Sequence, residues 1–228
     1  MANTLSFVVP VYEASDLARK LALRISVLRE AAKVSGFELI ESIFVDDGSQ
    51  IPLTDLGNGI TILKHDVNMG KGRSVRDAAL ASRGAWVLMS DVDESVPLDE
   101  FSKMVKKLNG DVWMVCGSRH GRPGVPLKRK LLSKLFSLVV RLFGVNEIND
   151  TQCGFKLFRM DKMRAIFEMQ TINRFAFDVE LIERVHEAGG KVVEVSVDWR
   201  GNKRSSLKIL RDAPKMLFDL IRLKFTKK

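Results

Sequence analysis

Residues 85–95 read AWVLMSDVDES, an apolar run that stops abruptly in two aspartates, a glutamate and a serine. The apolar part predicts a buried strand, and the acids predict a strand end at a polar rim. The same design recurs outward in both directions. LSFVVP (5–10) runs into Tyr12 and Glu13, and LIESIFV (39–45) runs into Asp46, Asp47, Gly48 and Ser49. VWMVCGSR (112–119) ends in Arg119, and ITILKH (60–65) supplies a further strand. Between them lie helical spacings: Leu17, Leu21, Ile25, Leu28 and Ala32 over 15–34, with Ser15 as N-cap, then GRSVRDAALASRG stopping at Gly84, then a helix around 98–108. Strands alternating with helices predict an α/β fold, a doubly wound parallel sheet with helices on both faces. Ligands of such sheets bind beyond the carboxyl ends of the strands, the rim on which these charged clusters fall. No GxGxxG follows the first strand, which argues against a dehydrogenase-type dinucleotide site.

The second half carries a different signal. The chain has 228 residues, 46% hydrophobic and 29% charged, with a net charge of +9. Residues 119–141 hold seven Lys/Arg and no acid, and residues 201–228 hold nine Lys/Arg and two acids, +7 each, so the remainder is −5. An acidic body with two basic segments favours a phosphate-bearing partner. Both segments contain broad apolar arcs, about 127–143 and 206–226, which predict amphipathic helices lying on a membrane surface or packed into the core or against another subunit. No apolar run reaches the ~18 residues that span a bilayer. The short N-terminal apolar stretch, followed by acids, does not read as a signal peptide. The expectation is one domain, 1–228, peripheral on the cytoplasmic face of a membrane. Its nucleotide-binding half is 1–118 and its acceptor-binding half 119–228. Cys116 and Cys153 read as buried thiols, and His65, His120 and His186 lack zinc-ligand spacing. One tyrosine and three tryptophans make stacking platforms scarce, so nucleic acid is not the expected partner.

At the rim, Asp91 and Asp93 are spaced i, i+2, so on an extended chain both carboxylates face one ion. Hard oxygen donors suit Mg²⁺ or Mn²⁺ completed by phosphate oxygens. The competing reading makes Asp93 or Ser95 the cap of the helix after Pro97. Asp46 and Asp47 are suited to accept hydrogen bonds from a base or ribose, or to shape an Asp-Gly turn. Lys71 in NMGKGRS resembles a phosphate cradle but lacks P-loop spacing.

The motifs VVPVYEA, FVDDGS, NMGKGRSVRDAALASRG, LMSDVDES, CGSRHG, LKRKLLSKLF, NDTQCGFKLFR and RFAFDVELI occur in this order. Their succession resembles the polyprenyl-phosphate (dolichyl-phosphate) glycosyltransferases, inverting enzymes of GT-A fold, over about residues 5–225. The later motifs are most similar to the dolichyl-phosphate glucose synthase branch. The resemblance implies a GT-A-type nucleotide-binding fold with a mostly parallel central sheet. It implies that Pro10, Tyr12, Glu13, Asp46, Asp47, Lys71, Asp91, Arg200 and Lys208 bind the nucleotide sugar. Asp91 and Asp93 would hold the metal, and Arg119, Arg129 and Ser133 would bind the lipid phosphate. UDP-glucose is the first expected donor, GDP-mannose the second, and polyprenyl phosphate the acceptor. Three departures stand out: Ala14 where the family has Glu, with Glu13 one place early; Ser95 as a weak further ligand; and Val92 between the aspartates. Glu94 has no counterpart role.

A lipid phosphate is largely ionised near neutral pH, its second pKa being about 6, and needs no general base. The expected reaction is therefore direct attack at the sugar with inversion. A glycosyltransferase acting on a soluble or glycan acceptor would need a base, for which Asp178 or Glu180 are candidates. A non-catalytic basic module binding membrane or nucleic acid would explain the charge but not the acidic strand ends.

Overall fold

A computed structural model describes residues 3–57, 59–119, 148–200 and 209–226, with the side chains of the last helix described over 215–223. Arg129, Ser133, Lys208 and the helix expected at 127–143 lie outside the described residues.

Seven strands form one sheet: β1 (Asn3–Val11), β2 (Phe37–Asp47), β3 (Ile60–His65), β4 (Trp86–Ser90), β5 (Val112–Ser118), β6 (Phe155–Arg159) and β7 (Lys191–Ser196). Their order is β3-β2-β1-β4-β6-β5-β7. Neighbours are parallel except at β6, which runs antiparallel to both β4 and β5. The helices are α1 (Ser15–Ala22), α2 (Ile25–Val34), α3 (Lys71–Ala81), α4 (Phe101–Val105), α5 (Met160–Met169), α6 (Phe177–Glu187) and α7 (Ile209–Thr226). Alternate residues of each central strand enter opposite cores. Phe7, Phe44 and Leu157 pack with α1, α2 and α4; Val8, Val45 and Phe158 pack with α3, α5, α6 and α7. Burial on both faces explains why these strands read as unbroken apolar runs.

Several local expectations change. The single helix over 15–34 is two, because the chain tightens at Leu23–Arg24, where Arg24 N–H bonds Leu21 O and Val27 N–H bonds Arg24 O. Ser15 is not the cap. Ala14 holds that position, its carbonyl taking the first helical bond from Ala18, and no side chain caps the end. Helix α3 stops at Ala81, ahead of Gly84. A β-carbon at Gly84 would lie 2.6 Å from Ser6 N, so that glycine serves strand contact rather than helix termination. The turn Leu98–Glu100 and α4 replace the longer helix expected around 98–108. Strand β6 was not evident as a strand, since FKLFR places a lysine in mid-run.

Helix α7 turns Met216, Leu220 and Leu223 into the core and leaves Leu217, Phe218 and Ile221 exposed, Phe218 by 64%. Among the described residues, no helix is long and apolar enough to cross a membrane.

One buried carboxylate fixes how α6 meets the rim. Glu180, fully buried, accepts hydrogen bonds from Thr171 N, Thr171 Oγ1, Ile172 N and the Arg184 guanidinium. The loop it pins grips the start of α3: Asn173 O accepts Arg73 N–H at 3.0 Å, and Gln170 Nε2 donates to Gly72 O at 2.9 Å. A β-carbon at Gly72 would lie 2.7 Å from Ile172 O. Replacing Glu180 with Ala strands these donors and the Arg184 charge. The expected cost is about 3–5 kcal/mol, read as a lowered urea midpoint at unchanged m-value.

Candidate active site

Register places the site. Ser90 of β4 faces Phe155 of β6, so the residue after the first, Asp91, meets the residue before the second, Gly154. Asp91 N–H donates to Gly154 O at 2.9 Å. A β-carbon at Gly154 would fall 1.9 Å from Asp91 Oδ2, so the aspartate occupies the space that any side chain at 154 would need. Lys71 Nζ, at the first turn of α3, lies 2.7 Å from Asp91 Oδ1. Burial would raise the Asp91 carboxyl, but the Lys71 ammonium, and beyond it Lys156 and Arg119, hold it below the usual carboxylate range. Its side chain is still 37% exposed, so the ionised group is open to a ligand.

The chain after Ser90 is a turn, not an extended strand, so the i, i+2 argument for Asp91 and Asp93 does not apply as made. Asp93 Oδ1 accepts from Ser95 N at 3.0 Å, closing the turn on itself rather than capping a helix. Ser95 O accepts Arg200 N–H at 2.8 Å, which places Arg200 beside this turn with its side chain exposed. Among the described residues no group of three or more His, Cys, Asp or Glu side chains forms a metal cluster. Two carboxylates, one held ionised and half-open, match an ion that takes most of its donors from a diphosphate and water.

Arg119 follows the last residue of β5. Its Nε and Nη2 each lie 2.7 Å from the Asp150 carboxylate, whose Oδ2 also accepts Arg119 N–H. Asp150 thereby fixes the guanidinium, a partner that motif reading alone had not assigned. Lys156 is fully buried; its ammonium pairs with Asp178 at 2.8 Å and donates to Cys153 O. Burial pushes the Lys156 ammonium down, yet Asp178 outweighs this and keeps it charged. Both candidate bases of the soluble-acceptor reading are thus committed inside the protein, Asp178 to Lys156 and Glu180 to the loop above α3.

The nucleoside end is built around β1 and β2. Tyr12 is exposed just past β1, and Pro10 is paired with Val45 in the sheet. Asp46 and Asp47 are buried and accept from the protein's own backbone. Asp46 takes Ser49 N and Leu53 N; Asp47 takes Met69 N, Gly70 N and the His65 ring. Asp47 thereby ties β2 to the glycine-flanked start of α3. Glu13 adopts φ +50° and accepts Gln50 N–H at 3.0 Å, while its own N–H donates to Ser49 Oγ. The displaced glutamate therefore latches the loop after Asp47. Glu94, unassigned from the sequence, reaches Arg24 Nη2 at 3.2 Å.

Residues 6–167 match the family model for glycosyl transferase family 2. The chain is 34% identical over 241 residues to a dolichyl-phosphate beta-glucosyltransferase of Dictyostelium discoideum, covering 97% of this chain and 74% of that protein. It is 33% identical over 237 residues to one of Trichomonas vaginalis, covering 96% and 70%. The fold superposes with a TM-score of 0.71, at 15% identity, on a crystal structure of glucosyl-3-phosphoglycerate synthase from Mycobacterium tuberculosis in complex with Mn²⁺, UDP-glucose and phosphoglyceric acid, covering 97% and 78%. That match establishes the shared GT-A architecture. With the rim geometry, these similarities place the chain in glycosyl transferase family 2, among the dolichyl-phosphate beta-glucosyltransferases.

Proposed function

We propose that this glycosyltransferase moves glucose from UDP-glucose to a polyprenyl phosphate of the dolichyl class, with inversion at the sugar. The observation that carries the reading is the nearness at one rim of an ionised carboxylate and a clamped cation. Asp91 fills the space beside Gly154, and Arg119, clamped by Asp150, stands at the end of β5 near enough to help hold the Asp91 carboxyl ionised. An anionic acceptor needs a cation to seat it and no base to deprotonate it. Asp178 and Glu180, buried and paired, are out of reach as bases, which favours a phosphate acceptor over a hydroxyl one.

In this mechanism Tyr12, Glu13, Asp46 and Asp47 shape the nucleoside end, directly or through the loop they hold. Asp91 and Asp93 would hold Mg²⁺ or Mn²⁺ against the donor diphosphate. Such an ion neutralises charge on the departing diphosphate. Lys71, now paired with Asp91, is placed to share itself with a diphosphate oxygen. Arg119, with Arg129 and Ser133, holds the acceptor phosphate. One phosphate oxygen forms the new bond to the anomeric carbon as the carbon–diphosphate bond breaks, and the electron pair leaves with UDP. Arg200, beside the Asp93 turn, and Lys208 would bind the donor diphosphate in this reading. A fixed near-attack geometry accounts for most of the rate in such a scheme, because the protein forms no covalent bond.

Attachment to a membrane surface fits the exposed Leu217, Phe218 and Ile221 of α7, flanked by Lys215 and Arg222. Replacing Phe218 with Asp is expected to reduce co-sedimentation with vesicles containing phosphatidylserine at least several-fold, while UDP binding stays intact.

Incubating the protein with Mn²⁺, polyprenyl phosphate and separate UDP-glucose, GDP-mannose and other nucleotide sugars tests the assignment. UDP release dependent on the lipid phosphate is expected, and equal transfer to a soluble sugar would overturn it. Replacing Gly154 with Ala drives a methyl group into the Asp91 carboxylate. Transfer is expected to fall about 100-fold or more, with the circular dichroism spectrum unchanged.

A further inference from the structure

Glu94 is one of two described non-glycine residues with positive φ, at +47°. Left-handed backbone is unfavourable for any residue with a β-carbon and neutral for glycine. Such outliers persist where the surroundings hold them, and here the surroundings are identifiable. Glu94 N–H bonds Asp91 O at 3.2 Å, so the left-handed residue closes the turn that carries Asp91 and Asp93. Its carboxylate, 19% exposed, reaches Arg24 Nε and Nη2 at 3.3 and 3.2 Å. Arg24 occupies the break between α1 and α2, held by its own N–H to Leu21 O. The break is what points this arginine at a turn 70 residues away. Neither nucleotide nor acceptor chemistry calls for an extra acid beside a metal-binding pair, since it adds negative charge where the donor is already anionic.

We propose that the Arg24–Glu94 pair is a positioning device. By anchoring the glutamate side chain it stabilises the left-handed turn that presents Asp91 and Asp93 to the donor diphosphate, and it neutralises the surplus charge. The inference rests on the reading of those aspartates as the donor site.

The device has a signature that mere surface pairing lacks: a glycine at 94 makes the anchor dispensable. The test measures UDP affinity in the presence of Mn²⁺ by calorimetry, together with amide exchange at residue 94 without nucleotide, on the full chain. Arg24→Ala is expected to weaken UDP binding about fivefold, equivalent to about 1 kcal/mol, and to speed exchange of the Glu94 amide. Glu94→Ala, which keeps the strain and loses the anchor, is expected to do the same. Adding Glu94→Gly to Arg24→Ala is expected to restore both affinity and protection. An unchanged affinity in Arg24→Ala would overturn the proposal, as would an equal loss in the Arg24→Ala, Glu94→Gly double variant. The underlying site reading is checked separately by Asp91→Ala: if that variant binds UDP with Mn²⁺ as tightly as the parent, the donor-site assignment itself fails, whatever Arg24 does.

Discussion

No side chain fits between the Asp91 carboxylate and the backbone at 154, and the site is organised around that closeness. It requires β6 to enter the sheet antiparallel beside β4, so that the chain arrives at 154 just where β4 delivers Asp91. It puts the 150–154 loop between two strand ends, where Asp150 can hold Arg119 and the Cys153 carbonyl can cover the buried Lys156 ammonium. In the proposed reading, donor and acceptor cradles thus share one loop. A shift of that loop would move both, which couples the separation of the reacting groups to a single backbone segment.

Charge in this region is arranged in pairs: Lys71 with Asp91, Arg119 with Asp150, Lys156 with Asp178. The last pair is wholly buried. Such pairs give little net stability, because taking both ions out of water offsets their attraction. Losing one partner is costly, however, so each pair makes its geometry hard to change. In the proposed mechanism the open pair, Lys71 with Asp91, is the one that the substrate enters. A lysine shared between carboxylate and phosphate exchanges one anion for another without leaving a bare charge behind.

Much of this was legible in the sequence, and the failures have physical causes. Strands β1, β2, β4 and β5 announce themselves as largely apolar runs because both faces of the central sheet are covered. The charged rim follows from their ends, so Asp91 and Arg119 could be named at once, while Lys71 was marked by the glycines at a helix start. Strand β6 was hidden because its central residue, Lys156, is charged yet fully buried, a situation created by Asp178 from a distant helix. The kink at Leu23–Arg24 leaves no mark in a helical pattern that continues through it. The extended geometry assumed for Asp91 and Asp93 failed because a turn closes directly after Ser90. Glu94 and Asp150 act through partners 70 and 31 residues away, and no local spacing encodes those.

The insertion of β6 also bears on how the chain is made. Strand β5 touches only β6 and β7, and β4 completes its pairing only with β6. As synthesis proceeds, β3-β2-β1-β4 can assemble while β5 waits without a neighbour. Until residue 159 has left the ribosome, one edge of β4 and both edges of β5 offer unpaired backbone to other chains. The five-residue strand that sets residue 154 against Asp91 thereby also closes the open edge of β4 and one edge of β5.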